Sequence, residues 1–146
     1  MYAAIRVLLI AVSLGSVVAW YFSNEDYAAI RDAQLLTKDI YWLTICLLLA
    51  GVVAWAAIVV RCRVSNERAT LPAWHSNPFN FRQPASFFHM LKWMLVAYGL
   101  ADLIAAWVLY GVTSRFGAMG LAAGIGMGIG IKLALGKASN DRTPID

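Results

Sequence analysis

A single acidic residue, Asp102, interrupts a long apolar stretch of the sequence. A carboxyl group in such surroundings either carries a proton or a cation, or makes a polar contact between helices. Tyr98 and Tyr110 are spaced so that they share its helical face, and Tyr98 could donate a hydrogen bond to it. Three hypotheses for Asp102 stay open: a protonated and hydrogen-bonded packing residue, a contact to a partner subunit, or a proton- or cation-binding group on a transport path.

The other residues that could do chemistry are scattered along the chain. Cys46 and Cys62 stand alone, without the spacing of a redox or zinc site, and on one helix they would be roughly 24 Å apart. His75 and His89 are separated by two prolines and lack metal-ligand spacing, so we expect them at the membrane interface. No Ser/His/Asp set, carboxylate pair or phosphate-binding loop can be assembled. We therefore expect a non-enzymatic protein that uses no metal or cofactor.

Glycines are concentrated near the C-terminus, where seven of the eleven lie between positions 117 and 136. Each glycine inside a helix costs about 1 kcal/mol relative to alanine, and in lipid the compensation is close contact between helices. Two helical faces are predicted to serve helix packing or oligomerisation: Gly117, Gly120, Gly124 and Gly128 on one, and Gly126 and Gly130 on the other. Matching stripes of small residues are Ala11, Gly15 and Ala19, and Ala97, Ala101 and Ala105. Packing within one bundle and self-association through a glycine zipper remain equal alternatives, because two such faces exceed what one neighbouring helix requires.

The elements that must position these residues are membrane-spanning helices. The 146-residue chain is 61% hydrophobic and only 14% charged, with a mean hydropathy of +0.66, whereas soluble domains are about 25% charged. At about 20 residues per crossing, four apolar runs occupy more than half of the sequence. We predict an all-α, integral membrane bundle of four transmembrane helices forming one domain, with spans at 3–22, 40–60, 84–111 and 116–135.

The predicted connections differ in length and character. An outer loop, 23–39, contains a short amphipathic helix, a long cytoplasmic loop covers 61–83, and a polar tail covers 136–146. If the third span crosses the hydrocarbon between positions 91 and 110, Asp102 lies near the midplane of the bilayer. Arg6 and Lys132 are then too far toward the cytoplasm to pair with Asp102, and we expect both to reach lipid headgroups.

Basic residues predict the orientation in the membrane. Nine of the twelve Lys and Arg residues would lie on one side and three on the other, which places both termini in the cytoplasm under the positive-inside rule. Small size and this bias favour a bacterial inner membrane. The net charge of +4 is not gathered on one polar face, so a nucleic-acid partner is not expected. Five basic residues are expected to anchor the bundle at lipid headgroups or, alternatively, to bind a soluble partner or anionic lipid: Arg61, Arg63, Arg68, Arg82 and Lys92.

Two functions from different classes fit these patterns. The first is a structural or assembly subunit of a homo- or hetero-oligomeric membrane complex, whose small-residue faces pack against other membrane subunits. The second is an oligomeric pore, or a proton- or cation-conducting channel or transporter, that uses Asp102.

Overall fold

The computed structural model describes residues 1–23, 31–65, 74, 76–80 and 82–140, with side chains as far as residue 136. Within these residues it has four long helices and no β-strand, which confirms the all-α prediction. The helices are α1 (Tyr2–Ser23), α2 (Ile40–Ser65), α3 (Pro84–Tyr110) and α4 (Arg115–Asn140), and a 3-10 turn, Thr37–Asp39, leads into α2.

Two helix ends differ from the predicted ones. The second helix continues to Ser65, so Arg61 and Arg63 belong to its last turns and not to the loop that we predicted to begin there. Likewise α4 continues through Asn140, into the predicted tail. The prediction followed the end of the apolar run, but a helix can continue past it, since arginine and lysine are good helix formers. Of the amphipathic helix predicted within 23–39, only Arg31 and Asp32 are helical among the described residues, and its earlier part lies outside them.

All four helices are long and apolar enough to cross a membrane, with mean hydropathies of 1.6 to 2.7 over an 18-residue window of each. Large apolar side chains also cover the outside of the bundle. Leu8 is 63% exposed, Ile104 60% and Trp107 70%, which is the reverse of the surface expected for a protein surrounded by water.

The last helix, α4, packs along both α2 and α3, while α1 packs against α3. One buried cluster joins α2, α4 and the beginning of α3, and it comprises Ala54, Ile58, Ala85, Met127, Ile131 and Ala134. A smaller one joins α1 to α3 through Val17, Tyr21 and Ala106. At its C-terminal end α3 stops at Gly111, whose φ of 65° is left-handed and favours glycine. The short turn that follows lets α4 return antiparallel to α3.

Candidate functional site

One glycine face of α4 lies against α3. A Cβ atom added to Gly117 would be 3.0 Å from the carbonyl oxygen of Gly99, and one added to Gly124 would be 3.2 Å from that of Lys92. At Gly120 the added atom would be 2.9 Å from the Tyr98 ring. Gly128 completes this face. The atom nearest to a Cβ added there would be Cδ of the flexible Lys92 side chain, at 3.0 Å. These glycines therefore allow α3 and α4 to approach closely.

The second glycine face lies against α2, and its contacts are tighter. A Cβ atom on Gly126 would overlap the carbonyl oxygen of Leu47, and one on Gly130 would overlap that of Gly51. The α2 side of the contact is equally close, since a Cβ atom on Gly51 would be 2.9 Å from the carbonyl oxygen of Gly126. Each glycine face of α4 thus has its own neighbour within the chain, so the number of faces no longer argues for self-association.

The small residues of α1 and α3 have different surroundings from those of α4. Ala101 and Ala105 of α3 pack against the cluster that joins α3 to α1. By contrast, Ala11, Gly15 and Ala19 of α1 are exposed, and a Cβ atom added to Gly15 would find no neighbour within 4 Å. This stripe, which we call the α1 stripe, is therefore uncovered by the described residues.

Asp102 is buried, with 4% of its surface exposed, and its carboxyl group accepts a short hydrogen bond from the hydroxyl of Ser114. Ser114 in turn accepts a hydrogen bond from the backbone N–H of Gly117, at 3.2 Å, which is the contact of a helix N-cap. A Cβ atom on Gly117 would be 2.9 Å from the Asp102 Oδ2 atom. The structure therefore joins the acid to the glycine helix through a residue that the sequence analysis did not select, although a serine just before a helix is a known signal for a cap.

The two tyrosines predicted to share the helical face of Asp102 make contacts with other residues. The hydroxyl that donates to the carboxyl group belongs to Ser114 and not to Tyr98, whose ring lies beside Gly120. Tyr110 stacks on Tyr21 of α1, with ring centroids 6.2 Å apart. The Tyr21 hydroxyl donates to the backbone carbonyl of Asp102 at 3.3 Å.

These contacts also define the level of Asp102 along the bundle. Its partners are Ser114, immediately before α4, and Tyr21, in the last turn of α1. Asp102 consequently lies level with the ends of two helices and not halfway along the bundle. The midplane estimate assumed that all spans begin and end at one level, whereas α3 continues for eight residues beyond Asp102 while α4 begins beside it.

The same end of the bundle contains the one ion pair among the described residues. Arg115 Nε lies 3.1 Å from Asp39 Oδ2, and Asp39 is 4% exposed. Two backbone hydrogen bonds accompany the ion pair, from Leu35 N to Thr113 O at 2.7 Å and from Arg115 N to Ala33 O at 2.8 Å. The segment before α2 is therefore tied to the turn between α3 and α4.

At the opposite end of the bundle, Arg6 is buried, with 1% of its surface exposed. This contradicts the expected reach to lipid headgroups. Its guanidinium donates to the Ser76 carbonyl at 3.1 Å and to the Ser86 hydroxyl at 2.8 Å, and it lies 3.4 Å from His89 Nδ1. Trp74 faces the same guanidinium at 5.9 Å. Neutral hydrogen-bond acceptors make the burial of this cation tolerable, and a side chain that seemed free to reach the surface instead joins α1 to α3 and to the segment before it.

The five basic residues predicted to bind headgroups or a partner do not form one cluster. Arg63 and Arg82 are exposed, whereas Lys92 lies over the Trp93 ring at 4.6 Å and contacts the glycine face of α4. Arg61 is half-buried and lines a cavity beside α2. Arg68 lies outside the described residues.

Among the described residues, no three His, Cys, Asp or Glu side chains are grouped to hold a metal ion. Comparison with protein-family models, with curated proteins and with solved structures gave no match. What the protein does must therefore be inferred from its own residues.

Proposed function

We propose that the chain is an integral membrane protein of a bacterial inner membrane, with four transmembrane helices and both termini in the cytoplasm. The apolar outer surface supports the membrane location, since lipid would cover side chains that water disfavours. Arg61, Arg63 and Arg82 lie at the predicted cytoplasmic ends of α2 and α3 and support the orientation.

A reporter fused to the C-terminus tests this orientation. We expect a reporter that is active only in the cytoplasm to be active in the fusion, and an export-dependent reporter at the same position to be silent. As a control, both reporters inserted after Lys38 should give the opposite result. Activity of the export-dependent reporter at the C-terminus would reverse the proposed topology.

We propose further that the protein is a non-enzymatic subunit of an oligomeric membrane complex, and that α1 makes the contact. The observation that carries this proposal is the uncovered α1 stripe. The two glycine faces of α4 and Ala101 and Ala105 of α3 already face helices of the same chain. A Cβ atom added to Gly15 would have no described residue within 4 Å. Small residues four positions apart allow two transmembrane helices to meet closely, and this stripe is the place where another helix would fit.

Replacing Gly15 by leucine tests the assembly. We expect the wild-type protein, extracted in mild detergent, to form a particle heavier than the 16.0 kDa of one chain. In Gly15→Leu the particle should fall to the mass of a monomer, because the leucine side chain would hold the partner helix away. Native mass spectrometry measures both particles. It also separates self-association, which gives multiples of the chain mass, from a complex with another polypeptide.

Gly136 provides a matched control, since it too is exposed and helical, and no described residue lies within 4 Å of a Cβ atom added to it. Gly136→Leu should leave the particle mass unchanged. A wild-type protein that is monomeric in every mild detergent, or a Gly15→Leu variant with undiminished mass, would count against assembly through α1.

A further inference from the structure

A cavity of about 500 Å³ lies beside the C-terminal half of α2, next to the beginning of α3. Among the described residues its walls are apolar apart from one arginine, and the residues that line it are Ala56, Ala57, Val60, Arg61, Val64 and Pro84. Val60 and Val64 are 58% and 74% exposed, so the cavity opens toward the outside of the bundle. Its position, near the end of the second candidate span, is where hydrocarbon gives way to headgroups.

Among the described residues that line this cavity, Arg61 is the only charged one, and none of them accepts a hydrogen bond from its guanidinium. The Nε atom is shielded from solvent and has no hydrogen-bond partner. Arg6 and Arg115 differ in this respect, because Arg6 donates to Ser76 and Ser86 and Arg115 pairs with Asp39. A buried N–H without an acceptor is unfavourable. A ligand in this cavity would therefore meet a guanidinium that no described residue already pairs with.

We propose that this cavity binds an anionic phospholipid, with the headgroup phosphate at Arg61 and one acyl chain along the apolar wall of α2. A guanidinium presents its two Nη atoms along one edge, which matches two oxygens of a phosphate. The apolar walls fit the chain of a lipid and not a free anion. A lipid with net negative charge is favoured over a zwitterionic one, since no acidic side chain among the described lining residues offsets the charge of Arg61. This inference is independent of assembly through α1.

Lipid binding to the whole protein tests the proposal. Native mass spectrometry of the purified chain, titrated with phosphatidylglycerol or with phosphatidylcholine of identical acyl chains, gives both affinities. We expect phosphatidylglycerol to bind about tenfold more tightly, as the loss of a charged hydrogen bond implies. In Arg61→Gln this preference should largely disappear. In Arg63→Gln, which removes an equal charge from an exposed position two residues away, it should remain within about twofold of the wild type.

A second variant keeps Arg61 but fills the cavity. Ala57→Trp should weaken the binding of both lipids, because its ring would occupy the space for the acyl chain. Equal affinities of the wild type for the two lipids would overturn the proposal. So would an equal loss of preference in Arg61→Gln and Arg63→Gln, which would indicate general surface charge. Displacement of phosphatidylglycerol by millimolar inorganic phosphate would show a site for free anions and would also overturn it.

Discussion

Replacing Gly126 or Gly130 by alanine should destabilise the bundle by about 3 kcal/mol, toward the upper end of the range for overpacking. In each variant the added methyl group would overlap a backbone carbonyl of α2, from Leu47 or Gly51. A side chain could rotate away, but a helix backbone can yield only if α2 and α4 separate. Separation would also open the buried cluster around Ala54 and Met127. Unfolding induced by heat or by SDS in detergent micelles measures the loss.

Two other glycines of the same helix serve as controls for this prediction. Gly136→Ala adds a methyl group in open space and should be neutral or stabilise the protein by up to about 1 kcal/mol through helix propensity. Gly128→Ala meets only the flexible Lys92 side chain, at 3.0 Å, and should be close to neutral. If Gly126→Ala unfolds at the same point as Gly136→Ala, the close contact between α2 and α4 does not stabilise the fold.

The four apolar helices and the two glycine faces could be predicted from composition and spacing, because both depend on local properties of the chain. The partner of each face could not. Whether Gly126 meets Leu47 depends on how α2 is rotated and how far it is shifted along α4. This rotation and shift are determined by the packing of many side chains. The sequence therefore suggested self-association from a second glycine face that α2 in fact covers.

Asp102 and Arg6 illustrate a second reason why prediction from sequence is limited. Both were judged by their distance along one helix from an assumed membrane boundary. Their positions depend instead on connecting segments, since Ser114 precedes α4 and Ser76 lies before α3. Hydrogen bonds from such segments to a buried polar group are non-local, with sequence separations of 12 and 70 residues. No periodic pattern in the sequence indicates them. The individual signals were present, namely a serine at a helix start and an arginine in the first turns of α1.

Ser114→Ala should destabilise the protein by about 2–4 kcal/mol, because it removes two contacts at once. The Gly117 N–H loses its cap, which costs about 1 kcal/mol, and the buried Asp102 carboxyl group loses its donor, which costs about 1–3 kcal/mol. Thr113→Ala removes a neighbouring but exposed side chain and should be nearly neutral. The measurement is again unfolding in detergent. A Ser114→Ala variant as stable as Thr113→Ala would show that the contact with Asp102 contributes little.

Variants of Asp102 decide between the structural hypothesis and the transport hypothesis. If the carboxyl group serves only to hold Ser114, Asp102→Asn should cost about 1 kcal/mol at most, since the amide oxygen still accepts a hydrogen bond. Asp102→Leu should cost several times more than Asp102→Asn, but little more in a Ser114→Ala background, where the contact is already lost. Proton flux in liposomes, followed with an internal pH-sensitive dye, should be equal in the wild type and Asp102→Asn. A wild-type flux that Asp102→Asn abolishes, with the fold intact, would instead assign Asp102 to a transport path, and Ser114 would then be the group that positions its carboxyl oxygen.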